Sequence, residues 1–275
     1  MVVFPNCKIN LGLHIVARRP DGYHDIETVM YPVPWCDILE CTPSSSGADS
    51  LTVTGNGVAC PPEKNLVMRA LNALRSVTDV PATDIHLHKV IPDGAGLGGG
   101  SADAAFTLLA LNNLYTLGLD PDTLAAVAAT VGSDCPFFIY NTPMLATGRG
   151  TDLTPCHVSL AGLSLAIAKP SGVAVSTAQA YAGVTPHTEP HAVADVLQSA
   201  PCSWRENLVN HFESSIFAKA PQVATVKEHM YSHGAVYAAM TGSGAAVFGL
   251  FESPEAAEQA VANLADCTVF TCTLQ

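Results

Sequence analysis

Residues Pro92 to Ala104 read Pro-Asp-Gly-Ala-Gly-Leu-Gly-Gly-Gly-Ser-Ala-Asp-Ala, with glycine at five of thirteen positions. No other stretch narrows the possible folds so far. Ahead of it, Asp84 to Ile91 alternates Ile85, Leu87 and then Val90 or Ile91 with polar residues, the period of a half-buried strand. Behind it, Phe106, Leu108, Leu109, Leu111, Leu114 and Tyr115 recur at helical spacing, and Gly118 supplies the stop. Strand, glycine loop and helix start in succession make an anion site. Bare backbone can approach a phosphate closely, and the free N–H groups of a helix start favour negative charge.

Two general nucleotide patterns fit the loop, each incompletely. Gly94 to Gly99 spells G-x-G-x-x-G, and Asp120 follows about 20 residues on, where a dinucleotide site places an acid. Yet the loop is not the first strand-to-helix turn of the chain, and Asp120 before Pro121 reads as the N-cap of the next helix. The same glycines also read as a P-loop whose lysine is replaced by Gly100, which removes its charge toward the β- and γ-phosphates. A flexible linker is a third reading, disfavoured by the strand and amphipathic helix on either side.

Composition bounds the function. The 275 residues are 48% hydrophobic and 13% charged, enough for one large or two modest packed domains. Twelve basic against 24 acidic residues leave a net charge of −12, which argues against nucleic acid or an anionic membrane as main partner. A phosphate ligand stays compatible, because a few local donors reverse the field of one cleft. The nine scattered cysteines, without a C-x-x-C, support neither a zinc cluster nor a disulfide framework. Reduced thiols in a cytoplasmic enzyme, monomeric or homodimeric, with no secretory signal or membrane span, are the expectation.

Along the chain, Met1 to Val16 reads as a strand with Leu11, Leu13 and Ile15 toward the core and Lys8, Asn10 and Gly12 on the opposite face. Lys8 and Asn10 can therefore reach one cleft, or face solvent. Pro20-Asp21-Gly22 predicts a turn that presents Tyr23 and His24, able to stack on and hydrogen-bond a planar base or simply to anchor a loop. Ser44 to Gly47 is a surface turn, and Asn65 to Val77 a helix with Leu66, Met68, Ala70, Leu71 and Leu74 on its apolar face. Thr123 to Val131 is another helix, followed by Gly132-Ser133-Asp134-Cys135-Pro136-Phe137-Phe138. Asp134, held among glycine, proline and aromatics, can be a general base or a turn residue.

Pro155 to Leu163 reads as the passage to a second unit, giving expected domains 1–158 and 159–275. In the second, a strand at Leu165 to Ile167 precedes polar and helical stretches, with a loop at 186–190. A helix (Pro221 to Ser232), a strand (Ala235 to Met240), a glycine turn at Thr241-Gly242-Ser243-Gly244-Ala245 and a strand (Ala246 to Phe251) follow. Ser253 then caps a helix through Leu264, and Cys267 to Leu274 is the last strand. This order predicts an antiparallel, ferredoxin-like sheet with helices on one face. The pairs His86/His88 and His229/His233 each lack an obvious third ligand and read as surface histidines.

Three separated segments carry a family resemblance. Pro92 to Ala104 matches P-x-x-x-G-L-G-G-G-S-A-x-A, the phosphate loop of the GHMP kinases, over its whole length. Lys8-Ile9-Asn10-Leu11 resembles the first motif of that family and Thr241 to Ala245 the third. With Asp21 to His24 and Gly132 to Phe138, the set resembles the branch that phosphorylates a cytidine-diphosphate-linked polyol on the non-mevalonate route to isoprenoids. The resemblance implies an α+β, two-domain fold: an N-terminal β/α domain with helices laid over a sheet, and a ferredoxin-like C-terminal domain. It implies an ATP-dependent kinase, with another small-molecule GHMP kinase or a dinucleotide-binding oxidoreductase as the alternatives.

By the same resemblance, Asp134 takes the proton from the accepting hydroxyl and Lys8 neutralises charge beside it. Pro92, Asp93, Gly94, Ala95, Gly96, Leu97, Gly98, Gly99, Gly100, Ser101 and Ala102 hold the ATP phosphates, with Asn65 and Lys89 on the adenosine side. Thr241, Gly242, Ser243 and Gly244 support that loop. Asn10, Tyr23, His24 and Tyr181 hold the cytidine diphosphate half of the acceptor. Met30 stands where the family often has a further aromatic. Mg²⁺ is expected on the phosphates, with the Ser101 hydroxyl nearby.

Overall fold

The computed structural model describes residues 1–56, 60–189 and 191–275. In chain order it forms β1 (Val2–Val3), β2 (Asn6–Arg18), β3 (His24–Cys36), β4 (Ile38–Pro43), β5 (Ser50–Gly55), α1 (Leu66–Arg75), β6 (Thr83–Lys89), α2 (Gly99–Leu114), α3 (Pro121–Val131), α4 (Cys135–Tyr140), β7 (Met144–Thr147) and β8 (Asp152–Pro155). Then come β9 (Ser164–Pro170), α5 (Thr177–Tyr181), α6 (Val193–Val196), α7 (Glu213–Lys219), α8 (Pro221–Ser232), β10 (Tyr237–Met240), β11 (Val247–Phe251), α9 (Pro254–Ala262) and β12 (Cys267–Thr273). By contact the chain divides into two interleaved units. One holds residues 1–8, 34–93 and 98–142, the other 9–33, 94–97 and 143–275.

The first unit is a sheet of order β1-β4-β6-β5 with helices α1 to α4. β4 pairs antiparallel with β6, setting Leu39 opposite Leu87 and Cys41 opposite Ile85, and β5 adds a parallel edge. α2 packs against α1, α3, α4 and β4. Its buried residues include Ala102, Ala104, Ala105, Leu108, Ala110 and Leu111, so small residues rather than a single leucine stripe let its neighbours close in. Phe106, Leu109 and Leu114, expected on the apolar face, are only half-buried. The α3 start is as expected: Asp120 is the N-cap and accepts from the Thr123 N–H at 2.8 Å, with Pro121 behind it.

In β6 the inward positions are Thr83, Ile85, Leu87 and Lys89. The alternation anticipated Val90 or Ile91 as the last inward residue. The strand ends one or two residues earlier, on a lysine whose ammonium is held by two buried carboxylates.

The second unit contains two sheets. One has the order β10-β11-β9-β12, every neighbour antiparallel, with α8 and α9 packed on it. In chain order its strands are first, second, third and fourth around two helices, and the spatial order is second-third-first-fourth, which is the ferredoxin-like arrangement. The other sheet, β2-β3-β7-β8, comes from the long β2–β3 ribbon, of which only the first strand was legible as a run. Both faces of β2 are buried from Asn6 to Ile15, which overturns a solvated face for Lys8 and Asn10. Ala166, Ala168, Val223, Met230, Val247 and Phe251 belong to the core shared by sheet and helices. Pro190, the end of the anticipated 186–190 loop, lies outside the described residues.

Candidate active site

Lys8 lies on β2 in the first unit and is 3% exposed. Its Nζ stands 3.6 Å from Oδ2 of Asp134, a carboxylate about one-third exposed at the start of α4. Asp134 stands in the turn that opens α4, and its side chain makes no cap bond to that helix. Burial pushes the Lys8 ammonium below the usual lysine range, and the Asp134 charge partly restores it. Gly98, the N-cap of α2, has φ of +72°, and a Cβ there would meet the Phe138 ring at 3.0 Å and the Lys8 Cε at 3.2 Å. Glycine is therefore required by the left-handed backbone and by the lysine stem lying against it. Lysine, aspartate and the N-terminus of α2 thus share one place. Ser101 stands in the first turn of α2, and its hydroxyl and the thiol of Cys135, the residue after Asp134, both lie close to Gly132.

A cavity of about 340 Å³ opens in the same unit. Val53, Leu66 and Leu87 give it apolar walls, and Asn65, Lys89 and Asp103 give it polar ones, with Asp93 and Gly100 on its rim. Asn65 also caps α1, its Oδ1 accepting from the Val67 N–H at 3.0 Å. The Lys89 Nζ is bound to Asp37 and, at 2.7 Å, to Asp103. Burial works against that ammonium, but Asp103 and Asp37 outweigh it and hold it above its ordinary value.

Residues 94–97 of the loop group with the second unit, where they meet the third glycine motif. The Ala246 N–H donates to the Ala95 carbonyl at 3.0 Å. A Cβ on Gly96, at φ +77°, would stand 2.0 Å from the Thr241 carbonyl oxygen, and one on Gly242 2.8 Å from the Gly96 oxygen. Each motif is glycine because the other's backbone occupies the space. Thr241 accepts from the Asn10 N–H at 3.1 Å and donates to the Gly96 carbonyl at 3.2 Å. The Asn10 side chain donates to Thr28 at 3.0 Å. Ser243 stands half-exposed in the turn.

Also in the second unit, Tyr23 is exposed at the predicted turn, and the Arg149 guanidinium covers its ring at 3.6 Å. The His24 and Tyr181 rings stack at 4.7 Å, and Tyr181 meets Phe212 edge-on. Burial and then Arg18 hold His24 below the ordinary histidine value, so it stays neutral at neutral pH. Met30 is buried in β3 opposite Met144. His24 and Tyr181 are thus brought together, while Tyr23 packs instead with Arg149, a cation that sequence reasoning missed. Asp37, Asp103 and Thr28 were missed too. Only the G-x-S-A-D spacing around Asp103 offered a signal, because the other three are defined by partners distant in sequence.

Among the described residues one group has metal-ligand chemistry: His187, Glu189 and His211. The hydrogen bonding argues against a metal. His211 Nδ1 accepts from the Ile15 N–H at 3.0 Å, so its neutral ring carries the proton on Nε2 and donates it to Glu189. That nitrogen has no lone pair for an ion. The anticipated pairs are no better placed. His86 and His88 both bond Thr54, and His229 gives its Nε2 proton to the Ala260 carbonyl. Among the described residues no two cysteines are joined by a disulfide.

Comparison with known proteins gives these features a class. Residues 65–142 match the family described as GHMP kinases N terminal domain, and residues 196–268 match GHMP kinases C terminal. The chain belongs to the GHMP kinases. It is 50% identical over 254 residues to a 4-diphosphocytidyl-2-C-methyl-D-erythritol kinase of Parabacteroides distasonis, covering 92% of this chain and 93% of that one. It is 47% identical to the enzyme of that name from Porphyromonas gingivalis, covering 96% and 97%. A crystal structure of 4-(cytidine 5'-diphospho)-2C-methyl-D-erythritol kinase superposes with a TM-score of 0.83 at 32% identity, covering 98% of each chain. Methanococcus jannaschii mevalonate kinase shares the fold at a TM-score of 0.74 and 12% identity.

Proposed function

We propose that this chain is an ATP-dependent kinase that phosphorylates the 2-hydroxyl of 4-diphosphocytidyl-2-C-methyl-D-erythritol, in the non-mevalonate route to isoprenoid precursors. The observation that carries the mechanism is the Lys8–Asp134 pair, 3.6 Å apart beside the Gly98 N-cap of α2. Phosphoryl transfer asks little covalent chemistry of a protein; it asks for positioning and charge neutralisation. Asp134 takes the proton of the acceptor hydroxyl as it attacks the γ-phosphorus, and the bond from that phosphorus to the β–γ bridging oxygen breaks to release ADP. Lys8 neutralises charge on the transferring group, supplying from β2 what a P-loop lysine would have supplied at Gly100. Backbone N–H groups at the start of α2 hold the ATP phosphates, and the cavity at Asn65 and Lys89 takes the adenosine.

Mg²⁺ binds hard oxygen donors and keeps several waters, so one hydroxyl plus the phosphates suffices, and the Ser101 hydroxyl in the first turn of α2 fits that role. When bound, the ion neutralises charge shared by the β- and γ-phosphates. Tyr23, His24 and Tyr181, with Asn10, recognise the cytidine diphosphate half. The functional division runs at 158/159, supported by the two family matches falling on either side of it. The dinucleotide reading is not favoured, because Asp120 is spent capping α3.

The test is turnover with ATP and the cytidylyl acceptor. Asp134→Ala and Lys8→Ala should each lower kcat by roughly 100-fold or more with the fold retained. Near-normal turnover in both would overturn the mechanism.

A further inference from the structure

A buried cluster holds the segment that leads into the glycine loop. Asp37 lies between β3 and β4 with 0% of its surface exposed. Its Oδ1 accepts from the N–H groups of Val90 at 2.6 Å and Ile91 at 2.8 Å, the two residues ahead of Pro92. β6 has ended at Lys89, so those amides have left its ladder and would otherwise be buried or half-buried without a partner. The other Asp37 oxygen binds the Lys89 Nζ, which also donates to Oδ2 of Asp103 at 2.7 Å. Asp103 stands on α2. Side chains therefore bridge the end of β6 to α2 across the stretch that must present the phosphate-binding amides. The bridge is close, since a Cβ on Gly99 would lie 3.3 Å from the Lys89 Nζ.

Two carboxylates face one ammonium, so the Lys89 charge is shared between Asp37 and Asp103 inside the cluster. The Lys89 charge is thus committed to the protein, and Oδ1 of Asp103 is buried without a hydrogen-bond partner among the described residues. A lysine so committed gives little to phosphates, but its position gives a great deal to the backbone around it.

We propose that Asp37 is a positioning residue for nucleotide binding, acting through Lys89 and the Val90 and Ile91 amides to set the first turn of α2 against the end of β6. The proposal rests on the kinase reading above. Asp37 reaches no solvent, so any effect it has on ATP passes through the residues it holds.

The experiment titrates a fluorescent ATP analogue into wild type, Asp37→Asn and Asp37→Ala, with steady-state kinetics and a thermal midpoint for each. Asp37→Asn keeps the volume and one oxygen acceptor and removes the charge. It should weaken analogue binding and raise KM for ATP by about tenfold, while KM for the acceptor and kcat change less than about threefold. Lys89→Met should add less in the Asp37→Asn background than it does alone, because the two act on one bridge. Analogue binding equal to wild type, both KM values rising together, an additive double variant, or loss of folding in both Asp37 variants would each overturn the proposal. Failure of the wild type itself to bind the analogue would instead sink the kinase reading.

Discussion

Lys8 shows what one residue's surroundings add to its identity. On a solvated strand it would be an ordinary lysine. Here both faces of β2 are buried, and the ammonium is pushed below its usual range with Asp134 pulling the other way. A lowered pKa means the charge is lost at a lower pH than for a free lysine. If that charge serves phosphoryl transfer, kcat/KM should fall as pH rises through the lowered value. Lys8→Arg, which keeps its charge throughout, should move that limb to higher pH whatever its effect on the plateau. An unmoved alkaline limb in Lys8→Arg would assign it to another group. The motif made Lys8 and Asp134 legible, since family resemblance carries residue types at fixed places. Asp37 and Arg149 were not legible, because an isolated aspartate or arginine has no meaning until the residues it faces are known.

At the scale of elements, the glycine loop is divided between two demands. Gly96 is glycine because the Thr241 carbonyl lies where a Cβ would go, and because its φ is left-handed. Gly100 has helical backbone, and a Cβ there would make only ordinary contact with Leu66 at 3.5 Å. Gly96→Ala should therefore cost about 1–3 kcal/mol of stability in a denaturant titration. Gly100→Ala should leave stability level or slightly raised, since alanine favours a helix, and any damage should appear in ATP affinity alone. Equal destabilisation by the two would show that backbone packing is not what distinguishes them. The strand and helix on either side of the loop were readable from periodicity, because one face of each is apolar. The ends were less so: the lysine that closes β6 breaks the apolar pattern and is buried only through Asp37 and Asp103.

For the molecule as a whole, ligand linkage offers a test that needs no variant. A nucleotide that binds only the folded state raises the thermal midpoint by mass action. A non-hydrolysable ATP analogue with Mg²⁺ should raise it, and NADH at the same concentration should not; the reverse result would restore the dinucleotide reading. By itself the sequence determined the class. The order of strand, glycine loop and helix, the three spaced motifs, and the βα…αββαβ succession at the end are local or ordinal facts, and local chemistry is enough to produce them. Tertiary structure decided what depends on contact between distant segments. It brought the two glycine motifs against each other and buried both faces of β2. It committed Lys89 to two aspartates and gave His211 the tautomer that denies a metal its nitrogen. The physical reason is the same each time: burial and hydrogen-bond partners belong to the space around a residue, and neighbours along the chain supply only part of that space. The glycine loop could be recognised from thirteen residues, but what holds it in place could be seen only once residues far from it in the chain had arrived.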